Sequence, residues 1–246
     1  MERGAALTIL DCTDPGSREP LIRRAAAAVR RGALVVMPTD TVYGLGVDAF
    51  AADAVGRLLA AKGRSRQMPV PVLVGATRTL DGLATGIGAE AKALIEAFWP
   101  GALTLIVRQQ PSLAWDLGET GGTVAVRMPL HPVALELLRL TGPMAVSSAN
   151  RTGEPPATSA AAAHSSLGDT VELYLDAGAV VDNVPSTIVD VTGPTPKVVR
   201  AGAIDGNASH ARGVLRGCAQ RCVRAGARPR RADARCRGWL RPAERA

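Results

Sequence analysis

"PLIRRAAAAVRRGALVVMPTDTVYGLG", Pro20–Gly46, carries two hydrophobic periods in succession. Leu21, Ile22, Ala25, Ala26 and Val29 recur at helical spacing and share one face. Pro20 suits a first helical position, and Gly32 suits the stop. The run "ALVVM" that follows is apolar without a break, as in a short strand buried on both faces. A helix delivering a buried strand is the repeating unit of an α/β sheet. The strand then meets Pro38. Three hydroxyl side chains, Thr39, Thr41 and Tyr43, fall within five positions, and Gly44 and Gly46 close the run. A loop that only turned the chain would not need them grouped so tightly.

The alternation continues outward. A second helix is expected from about Asp53 to Lys62, with Val55, Leu58 and Leu59 inward and Gly63 ending it. Further helices are expected near 88–98, from Pro132 to Gly142, and over "TSAAAAHSSLG". Strands are expected at "VPVLVG", "LTLIVR", "TVAVRMP", "MAVSSAN" and "VELYLDAG". "STIVDVTGPTPKVVRAGAI" reads as a hairpin turning at Gly193-Pro194. Crossover helices together with a hairpin imply a twisted mixed parallel and antiparallel sheet flanked by helices.

The chain divides at about residue 204. Residues 205–246 hold 11 Arg and 3 acidic residues, leaving 18 basic and 19 acidic groups in residues 1–204. The overall charge of +7 therefore belongs to the tail, and an argument from charge to nucleic acid concerns the tail alone. Few branched apolar residues and no clear period there imply a largely disordered segment. A polybasic arm for RNA and a 3′ end read out of frame are the alternatives. Cys12 stands apart from Cys218, Cys222 and Cys236, and with no signal peptide four cysteines do not read as a disulfide framework. The tail cysteines with His210 match no common zinc spacing, so no metal site is expected. No apolar run approaches the roughly 18 residues of a membrane span, and a cytoplasmic location is expected.

"GLGVDA" after a strand resembles a dinucleotide fingerprint, which wants an acid about 20 residues later. Lys62, Arg64 and Arg66 occupy that stretch, and cations there suit phosphates better than a ribose diol. No GxxxxGK[ST], HExxH or GxSxG is present, and His131, His164 and His210 are scattered. "AKGRSR" places Lys62 at a helix end and Arg64 after a glycine stop, where both can face anionic oxygens. The ordinary alternative is a solvated helix end with cations complementing the dipole. "AVSSANRTGEPP" delivers Ser147, Ser148 and Asn150 to a strand end, the side on which open α/β sheets bind ligands. Plain turn chemistry is its alternative. Arg127 and Arg200 end apolar strands, and a buried arginine demands an anion, internal or bound. Taken together, these residues describe a basic cleft that positions polyanions such as ATP beside a small carboxylate.

"PTDTVYGLG", "KGR", "FWPG-LT", "VAVRMP-HP", "SSAN-TG-P" and "STIVD…VVRAGA" resemble, in order and spacing, the threonylcarbamoyl-AMP synthases, the YrdC-like proteins. The resemblance covers about residues 8–204, so residues 1–204 are expected to form one YrdC-like domain with a large basic cleft. It implies a nucleotidyltransferase that makes threonylcarbamoyl-AMP and pyrophosphate from L-threonine, bicarbonate and ATP, with Mg²⁺ on the phosphates. The product would feed tRNA threonylcarbamoyladenosine through a separate transferase complex, with tRNA or double-stranded RNA as further partners. The implied catalytic set is Lys62, Arg64, Ser148 and Asn150. Thr39, Thr41, Arg127 and Ser186 would hold threonine, with Thr123 and Arg200 joining the catalytic set around ATP. Met68 and Leu73 stand where many members carry Asn and His contacts. Two alternatives remain, an RNA-binding module using the concave surface and the basic tail, and a carbamoyl-transfer domain like those inside hydrogenase-maturation enzymes.

Overall fold

The computed structural model describes residues 8–181 and 183–204. The Arg-rich segment 205–246, with its three cysteines and His210, lies outside the described residues, as does residue 182. Among the described residues eleven strands form one sheet: β1 (Ile9–Asp11), β2 (Val35–Met37), β3 (Gly44–Asp48), β4 (Val72–Leu73), β5 (Ala84–Thr85), β6 (Leu103–Gln109), β7 (Thr123–Arg127), β8 (Met144–Ser148), β9 (Leu173–Asp176), β10 (Thr187–Asp190) and β11 (Lys197–Arg200). Their order is β1-β9-β2-β3-β8-β4-β7-β6-β10-β11, with β5 beside β6. β1 with β9, β9 with β2, β4 with β7 and β6 with β10 run parallel. The remaining pairs are antiparallel, so the sheet is mixed, as the sequence implies.

Helices α1 (Arg18–Arg30), α2 (Ala52–Lys62), α3 (Leu80–Leu83), α4 (Ala89–Phe98), α5 (Pro132–Thr141) and α6 (Ala160–Leu167) flank it. α1 starts two residues before Pro20, which sits in the first turn, where no N–H bond is lost. α2 ends on Lys62, and Gly63 caps it at φ 61°, left-handed backbone that suits glycine. Ser159 accepts from the Ala162 amide at 3.1 Å and caps α6. Among the described residues no helix is long and apolar enough to cross a membrane.

Strand parity divides the core into two layers. Val36, Leu45, Val47, Val72, Leu105, Val107, Val124 and Val126 pack on one face with residues of α2, α4 and α6. Val35, Met37, Leu73, Met144 and Val146 point to the other, where α1 and α5 lie. Further along that second face, among the described residues, only the small cluster Ile106, Ala125 and Ile188 packs, with Val199. Neither α1 nor α5 belongs to it, and the sheet is open there to a cavity.

"GLGVD" forms strand β3, antiparallel to β2 and β8, which agrees with the reading that it is no dinucleotide-fingerprint turn; the strand itself was not among those expected. A Cβ on Gly44 would lie 2.7 Å from Val146 Cγ1, and one on Gly46 2.9 Å from Met144 Cε. Both glycines leave room for β8 side chains on that second face.

Candidate active site

The cavity on the open face has a volume of about 250 Å³. Its floor is a row of same-face residues from successive strands: Gly44, Val146, Ser148, Leu73, Arg127, Thr104 and Ile188. Loops contribute Thr39, Thr41, Arg64, Pro156, Pro185 and Ser186, and β11 contributes Arg200.

The loop from Pro38 to Tyr43 is shaped by its own hydroxyls. Thr39 Oγ1 donates to the Val42 carbonyl at 2.6 Å and accepts the Thr41 and Val42 amides at 3.2 Å. It is therefore largely committed to the turn. Thr41 Oγ1 accepts Arg127 Nη1 at 2.8 Å. Tyr43 points away. Its hydroxyl reaches the Gly178 carbonyl at 2.6 Å and Asp176 Oδ1 at 3.1 Å, and accepts the Ala177 amide. Thr39 and Thr41 line the cavity and Tyr43 anchors the loop that follows β9, so the three hydroxyls are not one cradle.

Arg127 is 6% exposed. Nη2 donates to Asp40 Oδ1 at 2.6 Å, and Nε to the Gly101 carbonyl at 2.9 Å. The anion that its burial demands is thus internal, from a residue the sequence reading passed over. Burial lowers the guanidinium's pKa, and Asp40 opposes that shift.

Lys62 is 4% exposed and does not line the cavity. Its Nζ donates to the Ser148 carbonyl at 2.6 Å and to the Asn150 carbonyl, with Ser148 Oγ at 3.4 Å. Its own carbonyl accepts the Thr152 amide at 2.9 Å. Asn150 Nδ2 in turn donates to the Arg151 and Glu154 carbonyls. Lys62 and Asn150 thus fix the loop after β8 from behind. Burial, then the nearby Arg64 charge, brings the Lys62 pKa down to about 7. Arg64 enters the cavity instead, with Nη1 donating to Ser147 Oγ at 3.1 Å.

Arg200 grips Ser186, donating to its carbonyl at 2.8 and 3.1 Å and to Oγ at 3.1 Å. Ser186 Oγ lies 2.8 Å from Thr104 Oγ1. Desolvation, then the charges of Arg127 and Arg64, lowers the Arg200 pKa. Three guanidiniums therefore repel one another across one hollow, which favours any anion placed between them. The segment after β11 closes this side. The Ala203 amide donates to the Pro185 carbonyl at 2.8 Å, and Ile204 N to Thr187 Oγ1 at 3.1 Å. A Cβ on Gly202 would collide with the Pro185 carbonyl oxygen and the Ser186 backbone. Gly202→Ala is expected to cost about 1–3 kcal/mol in a urea titration, by forcing these backbones apart.

Of the expected residues, the fold brings Thr39, Thr41, Arg64, Arg127, Ser148, Ser186 and Arg200 to the cavity. Lys62 and Asn150 brace its wall. Thr123 begins β7, on the same face as Arg127 but about 13 Å along the strand, and its hydroxyl donates to the Thr120 carbonyl at 2.8 Å. Asp40, Thr104 and Ser147 complete the arrangement. Leu73 lines the cavity and Met68 does not, so only the first makes the hollow more apolar.

A mixed sheet with a strand-end cavity ringed by guanidiniums and hydroxyls is suited to holding an anion. The chain belongs to the Sua5/YciO/YrdC family, whose model, described as "Telomere recombination", matches residues 27–202. A Mycobacterium tuberculosis protein named "Putative threonylcarbamoyl-AMP synthase" is 59% identical over 194 residues, covering 79% of this chain and 89% of that one. The Bacillus subtilis threonylcarbamoyl-AMP synthase is 39% identical over 199 residues, covering 79% and 57%. The crystal structure of Pyrococcus abyssi Sua5 complexed with L-threonine superposes with a TM-score of 0.75 at 39% identity. It covers 79% of this chain, which spans just over half, 57%, of the archaeal one.

Proposed function

We propose that this chain is an L-threonylcarbamoyladenylate synthase, a nucleotidyltransferase converting L-threonine, bicarbonate and ATP into threonylcarbamoyl-AMP, pyrophosphate and water. The observation that carries this reading is the meeting of Arg64, Arg127 and Arg200 around one cavity. The names of the relatives above, and the L-threonine bound to the archaeal one, support it.

The chemistry follows from the lining. Bicarbonate takes a proton from threonine's ammonium group and breaks down to CO2 and water; the free amine attacks the CO2 carbon and gives its remaining extra proton to solvent, forming a carbamate. A carbamate oxygen then attacks the α-phosphorus of ATP, and pyrophosphate leaves with the bridging oxygen. Among the described lining residues none is Asp, Glu or His, so catalysis rests on positioning and charge stabilisation. Arg127 spends three of the five N–H groups of a guanidinium on Asp40, Thr41 and Gly101. The other two are left for the threonine carboxylate, beside the Thr41 hydroxyl. Arg64 and Arg200 meet phosphate oxygens, with Ser148 lining the same cavity, and an extended nucleotide can run along the face toward Thr123. Lys62 and Asn150 act by holding the Ser148 wall. Among the described residues no three His, Cys, Asp or Glu side chains gather. These residues therefore offer no carboxylate cage for Mg²⁺, and the ion would arrive bound to ATP's phosphates.

In this reading the product passes to a separate tRNA-modifying transferase in the cytoplasm. Mass spectrometry tests it with the full chain, L-threonine, ¹³C-bicarbonate and MgATP. A labelled threonylcarbamoyl-AMP that disappears when any substrate is omitted is expected. ATP turnover indifferent to threonine would overturn the assignment. No product, with salt-sensitive RNA binding that depends on residues 205–246, would favour the RNA-binding module instead.

A further inference from the structure

We infer that Asp40 is a positioning residue that sets the orientation of Arg127 and thereby the affinity for the amino-acid substrate. This rests on the synthase reading for its substrate, though not for its geometry.

Asp40 does not line the cavity. Its Oδ1 takes Arg127 Nη2 at 2.6 Å and the Leu130 amide at 2.9 Å, so one oxygen joins the end of β7 to the loop that leads into α5. Thr41, the next residue, takes the other terminal nitrogen at 2.8 Å, and the Gly101 carbonyl takes Nε at 2.9 Å. A guanidinium held through all three nitrogens cannot rotate about its last bonds, so its two remaining N–H groups keep a fixed direction. Asp40 also neutralises a nearly buried cation before any substrate arrives. Without it, Arg127 would stand beside Arg200 and Arg64 with no carboxylate among the described residues at ion-pair distance, and would turn toward solvent or hold an adventitious anion. Because the Oδ1 contact is shared with Leu130, an asparagine can keep the amide bond while removing the charge.

Asp40→Asn is expected to raise the KM for L-threonine about tenfold while the KM for ATP stays within about twofold. Asp40→Ala should exceed this, since it also leaves the Leu130 amide without its acceptor. A merely structural loss would move both constants together. Guanidinium ¹⁵N spectra of the full chain, assigned with Arg127→Lys, provide a readout that needs no turnover. Slow rotation at the Arg127 Nη groups in wild type and its loss in Asp40→Asn are expected. If the Arg127 signals are the same in both, or if the two KM values rise in parallel, Asp40 does not position Arg127. If wild type makes no product, the synthase reading fails, and the spectra still decide the role of Asp40.

Discussion

Arg64→Ala is expected to slow threonine-dependent pyrophosphate release by about 10²–10³-fold, the usual cost of removing a fixed donor from developing charge. Arg64 is half-buried at the cavity wall, with Ser147 Oγ holding one end. Its removal opens no large void, so the thermal midpoint should hardly move. Arg64→Lys keeps a charge but loses the fork, and should fall between wild type and alanine. A second effect goes with it. Arg64's charge helps depress the Lys62 pKa, so the alanine variant should bind a proton at Lys62 more tightly. A coupled pyrophosphate assay and ¹⁵N titration of the lysine report the two effects separately. Unchanged turnover would remove Arg64 from the reaction.

Lys62→Met is expected to be nearly as damaging, about 100-fold in turnover, for a different reason. The thioether fills the space of the lysine stem but offers no donor to the Ser148 and Asn150 carbonyls. The buried Asn150 carbonyl then lacks its donor, at about 1–3 kcal/mol, while the Ser148 carbonyl keeps the Asn150 amide at 3.0 Å, and the chain just after Ser148 shifts to find water. The pH dependence has a definite sign. With a folded pKa of about 7 against an ordinary 10.5, the unfolded chain binds more protons between those values. Wild-type stability relative to Lys62→Met should therefore rise as pH climbs from about 7 toward 10. Below pH 7 both states are protonated and the difference levels off. Urea titrations of both proteins across that range measure it, and a difference that is flat or falls with pH would refute the burial of the charge.

Much of the fold could be read from residues whose signals are local. The apolar face of α1, the glycine after α2 and the proline opening α5 each mark an element boundary. Strand β3 could not be read this way, because two glycines and an aspartate depress local strand propensity. What makes it a strand is Val146 and Met144 filling the space over its glycines, a contact about a hundred residues away in sequence. The site divides similarly. The convergence of arginines was legible in part, since Arg127 and Arg200 end strands and Arg64 follows a helix stop, each place where a cation can face a strand-end cavity. Side-chain direction was not. Lys62 and Arg64 flank one glycine, yet that glycine's left-handed turn sends the first behind the wall and the second into the hollow. Tyr43 and Thr41 part in the same way, and Asp40 gave no local sign of Arg127, 87 residues further on.

The parallel pairing of β10 with β6 has a consequence for synthesis. β6 is a seven-residue, mostly apolar strand, and its β10 partner begins at Thr187, some eighty residues after β6 ends. At roughly 5–20 residues per second, a nascent chain leaves that edge bare for about 4–16 seconds on the ribosome. The interval is when intermolecular strand pairing threatens, and when a chaperone has most to protect. Until it ends, Ser186 and Arg200 have not emerged, so a half-made protein cannot yet sequester nucleotide.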